Sequence, residues 1–390
     1  MNVLLVGNYA PDRQYSMLQF SCLLKSGLRE AGYAVKVIHP KARLGRWPKQ
    51  TRSLKKWLGY ADKFILFPVS LRSAASRADV VHICDHAYSL LTRYLEAISN
   101  VVTCHDLIAA RASLSEFSGL HTRWSGRRYQ RMIMGGLARS RHVVCDSAAT
   151  AADVLRLCEI SSRMVSVVYP ALNFAYHRLP EAESIRRVKL MRIGDGERFV
   201  LHVGASAWYK NQTGLVRIFQ RLITYSQTAD LTLVMVCSGL SPSVKRLIEE
   251  GHLQSKVRVI SDIEPEDLRA LYSSATALLF PSVYEGFGWP IIEAQACGCP
   301  VFTSNRPPMT EVGGQGAIYF DPEDPSEAAQ IILENLPHAS RMREAGFSNV
   351  KRFSTANMIA GYLRAYREAI TATSARRLNE IRAAEGFRGG

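Results

Sequence analysis

The chain has 390 residues, which is enough for two domains with separate cores, and its hydrophobic content of 47% is ordinary for a globular protein. No apolar run approaches the roughly 18 residues that a transmembrane helix needs, and the start of the chain lacks the basic region of a signal peptide. The eight cysteines show no C-x-x-C spacing, which predicts buried free thiols in a reducing compartment. Composition therefore predicts a globular, cytoplasmic protein without disulfides.

The positive charge is concentrated in the first half of the chain. Residues 1–195 hold 29 Lys and Arg against 14 Asp and Glu, which accounts for the whole net charge of +15. Within this half, the segment Lys41 to Trp57 has seven basic residues, two tryptophans and no acidic residue. Such a segment suits an anionic membrane surface, with Trp47 and Trp57 at the interface, or a solvated basic loop. Nucleic acid is not expected, because no nucleic-acid-binding motif accompanies the segment.

The most specific stretch is Pro281 to Ser304, with the sequence PSVYEGFGWPIIEAQACGCPVFTS. It contains two carboxylates, Glu285 and Glu293, separated by a glycine-containing loop. Gly286 and Gly288 lack side-chain bulk, so that their N–H groups can approach a bound molecule closely. The stretch therefore predicts a ligand-binding loop.

A short helix is predicted to follow this loop, from Pro290 to Cys297. Pro290 suits the first helical position, and Gly298 suits the left-handed position after the last turn, before a strand from Pro300 to Thr303. A helix N-terminus attracts anions such as a diphosphate. With a carboxylate on each side, the pocket suits a ligand with hydroxyl groups at both ends of its phosphates, such as a nucleotide sugar. The alternative is an ordinary helix start with acidic capping residues.

This string of E-x7-E, with GFG after the first glutamate and AxxCGxPV after the second, resembles the signature of retaining nucleotide-sugar glycosyltransferases, especially family four of the GT-B class. The resemblance implies an α/β fold of two Rossmann-like, doubly wound domains that face each other across a cleft. It also implies that the second domain binds the nucleotide sugar.

The order of predicted elements agrees with that fold class. A strand over Asn2 to Gly7, a helix over Tyr15 to Ala31 and a strand over Ala34 to His39 open a doubly wound α/β domain. The loop between the first two elements has no G-x-G-x-x-G pattern, so a hydride-transfer cofactor is not expected. It also lacks the paired glycines of many relatives. Ser16 at the helix start is a candidate phosphate contact or, alternatively, a helix cap.

Four regions are predicted along the chain. They are an N-terminal acceptor-side domain, a charged linker, a C-terminal nucleotide-sugar-binding domain, and a terminal helix that returns to the first domain and ends in a loose tail. Their predicted bounds are 1–178, 179–197, 198–353 and 354–390.

Two polar pairs in the first domain follow the carboxyl ends of predicted strands, where open α/β sheets bind ligands. Asp85-His86 follows one strand and His105-Asp106 follows the next. His105-Asp106 resembles the His-Asp pair of the glycosyltransferase family, which implies that His105 faces the donor sugar and can hydrogen-bond one of its hydroxyls. Without that resemblance, a satisfied polar pair is the more common explanation. His86 is a candidate for contact with the acceptor or with neighbouring backbone.

In the second domain, Lys210 lies in the loop after the strand Phe199 to Val203, where its ammonium can neutralise a leaving diphosphate. The family commonly has an arginine five positions earlier, where this chain has Ala205. The resemblance implies that Glu285 holds the sugar and Glu293 the ribose. The other donor-binding residues that it implies are Gly204, Ile263, Gly286, Phe287, Gly288 and Trp289.

The resemblance implies a retaining transfer of a hexosyl group, with mannose as one candidate, to a saccharide or lipid-linked saccharide at the inner face of a membrane, in polysaccharide biosynthesis. No Asp-x-Asp pair or metal-ligand spacing is present, so catalysis is expected to need neither a metal nor a cofactor beyond the nucleotide sugar. Two alternatives stay open. One is a nucleotide-sugar epimerase or a phosphorylase on the same fold, and the other is a nucleotide-sugar-binding module that has lost transfer, which the alanine at position 205 suggests.

Overall fold

The computed structural model describes residues 1–12, 14–45, 52–193 and 196–386. The chain forms two compact units, one of Met1–Asn173 with Thr355–Gly390 and the other of Phe174–Ser354. The terminal segment thus belongs to the first unit, as predicted. The last four residues of the predicted tail lie outside the described residues.

The first unit is built on a parallel sheet of six strands in the order β2-β1-β3-β4-β5-β6. The chain runs from β1 outward to β2 and then returns to the other side of β1 at β3, so the sheet has its topological switch point between β1 and β3. The strands are β1 (Asn2–Val6), β2 (Ala34–Ile38), β3 (Val80–Ile83), β4 (Asn100–Cys104), β5 (His142–Cys145) and β6 (Val165–Val167).

Helices cover the strands of this sheet, and β3, β4 and β5 are buried along their whole length. Continuous apolar runs are what a parallel sheet requires, because both of its faces are covered. The α-helices are Tyr15–Glu30, Arg52–Ala61, Phe67–Ala75, Ile108–Ser113, Trp124–Arg139, Ala148–Cys158 and Thr355–Gly386, and a π-helical turn, Asp62–Leu66, joins the second and third of them.

A buried polar network joins the terminal helix Thr355–Gly386 to the sheet. His82 lies between the hydroxyl of Tyr366, 2.8 Å from Nδ1, and the hydroxyl of Thr103, 2.7 Å from Nε2. The Tyr362 hydroxyl lies 3.0 Å from the same Thr103 hydroxyl. Burial lowers the pKa of His82 to about 3, so its ring is neutral and every member of the network is a neutral group.

The second unit repeats the architecture with a parallel sheet in the order β12-β11-β10-β7-β8-β9. Its switch point lies between β7 and β10, which pair through Val200 with Ala277 and Leu201 with Leu278. The strands are β7 (Phe199–Val203), β8 (Thr232–Val236), β9 (Val257–Ile260), β10 (Ala277–Phe280), β11 (Val301–Ser304) and β12 (Ala317–Phe320). The helices are Glu181–Leu190, Gln212–Leu222, Pro242–Glu250, Pro265–Ser274, Trp289–Ala296, Met309–Gly313, Pro325–Asn335 and Ala339–Val350.

The predicted linker over residues 179–197 instead contains a helix, Glu181–Leu190, that belongs to the second unit. Val188 on this helix is 6% exposed, so the segment contributes to a packed core although half of the helix residues are charged. The boundary between the units falls earlier, after Asn173.

The cysteine prediction is correct for seven of the eight residues. All eight are free thiols, but Cys22 is exposed, because its position on the helix Tyr15–Glu30 faces solvent. Among the described residues, no helix is both long enough and apolar enough to cross a bilayer.

Candidate active site

The candidate site of the second unit lies at the switch point of its sheet. Lys210 follows β7 and Glu285 follows β10, and the two strands are neighbours. The ammonium nitrogen of Lys210 lies 2.7 Å from Oε1 and 3.0 Å from Oε2 of Glu285. The structure therefore brings together two of the predicted catalytic residues, at the edge where α/β sheets bind their ligands.

This ion pair is largely shielded from solvent. The side chains of Lys210 and Glu285 are 14% and 8% exposed. The Lys210 nitrogen also lies 5.3 Å from the centre of the Phe280 ring and 5.8 Å from that of Tyr209. A backbone hydrogen bond of 2.8 Å, from the N–H of Val283 to the carbonyl of Tyr209, ties the two loops together. Each charge depends on the other, because a buried charge without a partner is costly.

A buried histidine that the sequence analysis did not select lies beneath this pair. His202 on β7 is fully buried and donates through Nδ1 to the carbonyl of Leu279 at 3.0 Å. Burial lowers its pKa to about 4, so the ring is neutral. A side chain added at Gly204 would place Cβ 3.3 Å from His202 Nε2 and 3.4 Å from Lys210 Cδ. Gly204 thus leaves room for both neighbouring side chains.

The glycine loop and the helix after it form as predicted. The helix runs from Trp289 to Ala296, and Gly288 before it has φ +106°, a left-handed conformation that glycine adopts without strain. Gly298 after it also has a positive φ, +69°. The Phe287 ring is 4% exposed and packs against Trp289 and Phe353, with ring centres 6.2 and 5.6 Å away. Phe287 therefore anchors the loop.

Glu293 is 5% exposed, one turn inside this helix. Tyr272 donates a hydrogen bond of 2.9 Å to its Oε2. Burial raises the pKa of Glu293 to about 7, against the opposing effects of the Tyr272 hydrogen bond and the Lys210 charge. The carboxyl group consequently changes charge near neutral pH, where it can gain or lose a role as a hydrogen-bond acceptor.

The remaining predicted donor-binding positions lie in loops of the same unit. Ile263 is half-buried and follows Asp262, whose φ is +52°. Ala205 and its neighbour Ser206 are exposed. The position at which the family resemblance predicts an arginine is thus a solvent-facing alanine in this chain.

His105 in the first unit is held on both sides of its ring. Nδ1 donates to Asp146 Oδ2 at 2.7 Å, and Nε2 donates to the carbonyl oxygen of Cys84 at 2.8 Å. Both acceptors lack a hydrogen, so the ring carries two protons and a positive charge. Although burial opposes that charge, Asp146 raises the pKa of His105 to about 9. The predicted contact with a sugar hydroxyl therefore requires His105 to give up one of these bonds.

The other two candidates in the first unit have weaker positions. The Nδ1 atom of His86 lies 3.5 Å from Asp85 Oδ1, and the His86 ring centre lies 6.5 Å from that of His105. Ser16 is exposed in the first turn of its helix, and the residue at the cap position is Gln14, which makes no side-chain cap hydrogen bond. Ser16 is thus not the helix cap, and a phosphate contact remains its predicted role.

Tyr272, His202 and Asp146 were not predicted. His202 carried a signal, as the one polar residue in the strand sequence FVLHV. Asp146 directly follows β5, as His105 follows β4. Tyr272 lies on an ordinary amphipathic helix, where nothing in the sequence distinguishes it.

No group of three or more His, Cys, Asp or Glu side chains in the described part of the chain is arranged to hold a metal ion. Metal independence stays a prediction.

Two protein families match the chain, one in each unit. The family described as Glycosyl transferases group 1 matches residues 187–348, and the one described as Glycosyltransferase Family 4 matches residues 22–176. Together these matches cover most of the chain and contain every candidate site residue except Ser16.

Two similar proteins are bacterial mannosyltransferases. O-antigen chain mannosyltransferase B of Escherichia coli is 26% identical over 271 residues, which are 68% of this chain and 70% of that protein. O-antigen chain mannosyltransferase RfbU of Salmonella typhimurium is 25% identical over 342 residues, which are 83% of this chain and 88% of that protein.

Solved structures share the fold at low sequence identity. Sucrose-phosphate synthase of Thermosynechococcus elongatus superposes with a TM-score of 0.73 at 19% identity, over 95% of this chain and 100% of that one. Anabaena HepE, in complex with UDP and glucose, also gives a TM-score of 0.73, at 14% identity over 93% of this chain and 98% of that one. The two parallel six-stranded sheets and these likenesses establish the two-domain α/β fold of the GT-B class.

Proposed function

We propose that this protein, which belongs to the group 1 glycosyltransferases, transfers a mannosyl or other hexosyl group from a nucleotide sugar to a saccharide or lipid-linked saccharide, with retention of configuration and without a metal. The observation that carries the proposal is the shielded Lys210–Glu285 pair at the switch point of the second sheet. The two O-antigen mannosyltransferases support mannose and a role in polysaccharide assembly.

Each residue of the second unit has a specific part in this proposal. Lys210 and the N–H groups at the start of the helix Trp289–Ala296 bind the diphosphate. Glu285 accepts a hydrogen bond from a sugar hydroxyl. Glu285 can accept this hydrogen bond while it is paired with Lys210, because an ionised carboxylate has about four lone-pair sites. Glu293 accepts from the ribose hydroxyls.

The reaction breaks the bond between the anomeric carbon and the diphosphate oxygen, and the electron pair leaves with the diphosphate. The acceptor hydroxyl forms its bond to the anomeric carbon on the same face and passes its proton to a leaving phosphate oxygen. Lys210 stabilises the charge that develops on that phosphate. Neither glutamate needs to transfer a proton. In the first unit, His105 contributes a fixed positive charge whose position Asp146 secures.

The affinity for the nucleotide sugar is expected to rise by several-fold between pH 6 and pH 8. Glu293, with its pKa of about 7, ionises over that range and then accepts hydrogen bonds from the ribose more strongly. An intact nucleotide sugar is the right probe, because a free nucleoside diphosphate has a phosphate ionisation of its own near pH 6. Calorimetric titration should show this rise for the wild type and a flat profile for Glu293→Gln. If the affinities of the wild type and of Glu293→Gln changed with pH in parallel, the proposed contact of Glu293 with the ribose would be contradicted.

A second prediction concerns the membrane. In the described part of the basic segment, Leu54 and Trp57 are 49% and 65% exposed beside the exposed Lys55 and Lys56. Residues 46–51, with Trp47, lie outside the described residues. We expect the protein to sediment with vesicles that contain anionic lipid but not with neutral vesicles, and Trp57→Ala to weaken this binding several-fold. Equal binding to both kinds of vesicle would refute the prediction.

A binding module that has lost transfer is the second candidate, and the exposed Ala205 is the observation in its favour. A thermal-shift panel of UDP-, GDP-, ADP- and dTDP-sugars, followed by product analysis with each stabilising donor, distinguishes the two. Stabilisation with transfer or slow hydrolysis supports the enzyme, and stabilisation without any turnover supports the module. No stabilisation by any nucleotide sugar would contradict both.

A further inference from the structure

The second unit contains a cavity of about 340 Å³ at the end of its sheet that lies opposite the candidate active site. Phe199, the first residue of β7, lines this cavity, as does Thr276, which directly precedes β10. Lys210 and Glu285 follow the other ends of the same two strands. A strand of five residues such as β7 is about 16 Å long, so one small ligand cannot contact both places.

Two arginines at this cavity carry charges that no ion pair neutralises. Arg178 is exposed, and Arg343 is half-buried on the helix Ala339–Val350. Among the described residues, neither guanidinium group has a carboxylate within ion-pair distance. Arg198, the third arginine of the cavity wall, does have such a partner, since it lies 3.0 Å from Asp230. Arg178 and Arg343 are therefore the two charges that remain for a ligand.

These two charges are close enough to influence each other. Burial lowers the pKa of Arg343, and the positive charge of Arg178 lowers it further, against a smaller opposing effect of Glu344. The same two charges act on the buried Cys299 thiol, where they oppose the rise in pKa that burial causes. Like charges repel each other, and the repulsion is reduced when one anion binds to both groups. The pair of arginines thus favours an anionic ligand.

The side chain of Arg343 is already held on one side of its guanidinium group. Its Nε atom donates a hydrogen bond of 3.0 Å to the carbonyl of Gly298. Its two terminal nitrogens have no partner among the described residues. A guanidinium group presents such N–H groups in a planar fork that matches two oxygens of a phosphate. Arg343 is consequently oriented in advance to bind a phosphate group at the cavity.

Ser274 adds a buried hydroxyl group to the cavity wall. Its Oγ atom is buried and has no hydrogen-bond partner among the described residues. The neighbouring Ser273 differs, because its Oγ atom accepts from the N–H of Leu179 at 3.1 Å and donates to the carbonyl of Arg269 at 2.8 Å. A buried hydroxyl normally has a partner, since an unmade hydrogen bond is costly. A ligand oxygen in the cavity would be such a partner for Ser274.

The rest of the wall indicates what else the ligand contains. Two carboxylates line the cavity, those of Glu181 and Glu197, and so do the apolar side chains of Val188 and Phe199. Carboxylates accept hydrogen bonds from hydroxyl groups, but they repel a second anionic group. The volume of about 340 Å³ is that of a site for one small molecule. The wall therefore suits a small ligand with one phosphate and several hydroxyl groups.

We propose that this cavity binds a phosphate monoester of a sugar or of a similar polyol, at a site separate from the Lys210–Glu285 pair. In this arrangement Arg178, Arg343 and the Ser274 hydroxyl bind the phosphate. The two carboxylates accept hydrogen bonds from the hydroxyl groups of the ligand. Free inorganic phosphate makes the first set of contacts but not the second. This ligand is a second one for the unit and is independent of the proposed glycosyl transfer.

Calorimetric titration of the full chain tests the proposal. The probes are the phosphate monoesters mannose 6-phosphate, glucose 6-phosphate and glycerol 3-phosphate, with mannose and inorganic phosphate for comparison. We expect at least one monoester to bind about tenfold more tightly than either mannose or inorganic phosphate. Inorganic phosphate that binds as tightly as the best monoester would overturn the assignment of a polyol. Mannose that binds as tightly would overturn the role of the arginines, and no binding of any monoester would overturn the whole proposal.

Three single variants locate the binding. Arg178→Gln should weaken binding of the best monoester about tenfold, because it removes one of the two charges. The matched control is Arg217→Gln, an exposed position on the helix Gln212–Leu222 of the same unit, which should change the affinity by less than about twofold. Ser274→Ala should weaken binding several-fold but should not lower the free energy of unfolding of the free protein, because the hydroxyl has no partner to lose. Equal affinities of Arg178→Gln and Arg217→Gln would contradict the site.

A double variant of the candidate active site shows whether the two sites are separate. Lys210→Met with Glu285→Gln removes both charges of the ion pair and should keep the affinity for the best monoester within about twofold. Loss of binding in this double variant, together with normal binding by Arg178→Gln, would place the monoester in the active site and overturn the proposal. Failure of every nucleotide sugar to bind would refute the transferase proposal and leave the monoester site unaffected.

Discussion

Lys210→Met is expected to slow glycosyl transfer by about 100- to 1,000-fold, the usual effect of removing a charge stabiliser from a transition state. The Lys210 ammonium lies 2.7 Å from Glu285, which precedes the helix that is proposed to bind the diphosphate. Methionine keeps most of the side-chain volume and removes the charge. Steady-state rates at saturating donor would measure the loss.

The same substitution leaves the carboxylate of Glu285, 8% exposed, without its ion-pair partner. Loss of one partner of a buried pair costs roughly 3–5 kcal/mol of unfolding free energy. The control is therefore Lys210→Met with Glu285→Gln, which removes both charges. We expect the double variant to regain stability but not activity. A stable Lys210→Met protein with a rate within a few-fold of the wild type would contradict the assignment.

The second large effect is a loss of stability of the first unit at alkaline pH. The pKa of His105 is raised from 6.5 to about 9, so its charged form stabilises the folded state. The contribution of His105 to the free energy of unfolding is fully present below pH 6.5 and is lost as the pH rises through 9. The rise in the pKa of His105 corresponds to a contribution on the order of 3 kcal/mol to the free energy of unfolding. Amide hydrogen exchange of the peptides that contain β3, β4 and β5 should become faster over this range, in excess of the intrinsic effect of pH on exchange.

Asp146→Asn tests the cause, because it removes the charge that raises the pKa of His105. This variant should be strongly destabilised near pH 7, and its stability should no longer depend on pH between pH 6.5 and pH 9. Asp153→Asn is the matched control, since Asp153 also pairs with cations in the first unit, Arg111 and Arg156, but is 21% exposed. Asp153→Asn should lower the free energy of unfolding by at most about 1 kcal/mol and should keep the dependence of stability on pH. If both variants behaved alike, the specific role of the His105–Asp146 pair would be refuted.

Local signals explain what the sequence predicted well. Pro290 favours the first turn of a helix and Gly298 favours its end, so the predicted helix, Pro290 to Cys297, differs from the observed Trp289–Ala296 by one residue at each end. The alternation of apolar strands with amphipathic helices likewise predicts two doubly wound sheets. The failed prediction of a linker shows the limit of composition. Half of the ten residues of Glu181–Leu190 are charged, but its buried face, with Val188, packs it into the second unit.

Side-chain partners depend on strand order, which no local pattern encodes. Lys210 and Glu285 are 75 residues apart in sequence, and they meet because β7 and β10 are neighbours in the sheet. His105 and Asp146 are 41 residues apart and meet because β4 and β5 are neighbours. Lys210 and Glu285 could be selected as candidates from the sequence, but their ion pair, its shielded environment and the doubly protonated state of His105 required the structure.

The most direct test of the central claim is turnover of a labelled nucleotide sugar, GDP-mannose first and then the donors that stabilise the protein, by the wild type and by Glu285→Gln. Labelled product, either hydrolysed sugar or a glycosylated acceptor, is expected from the wild type, and a yield at least 100-fold lower is expected from Glu285→Gln. Equal release of label by both proteins, or none from the wild type with any donor, would contradict the claim that the Lys210–Glu285 site transfers a glycosyl group.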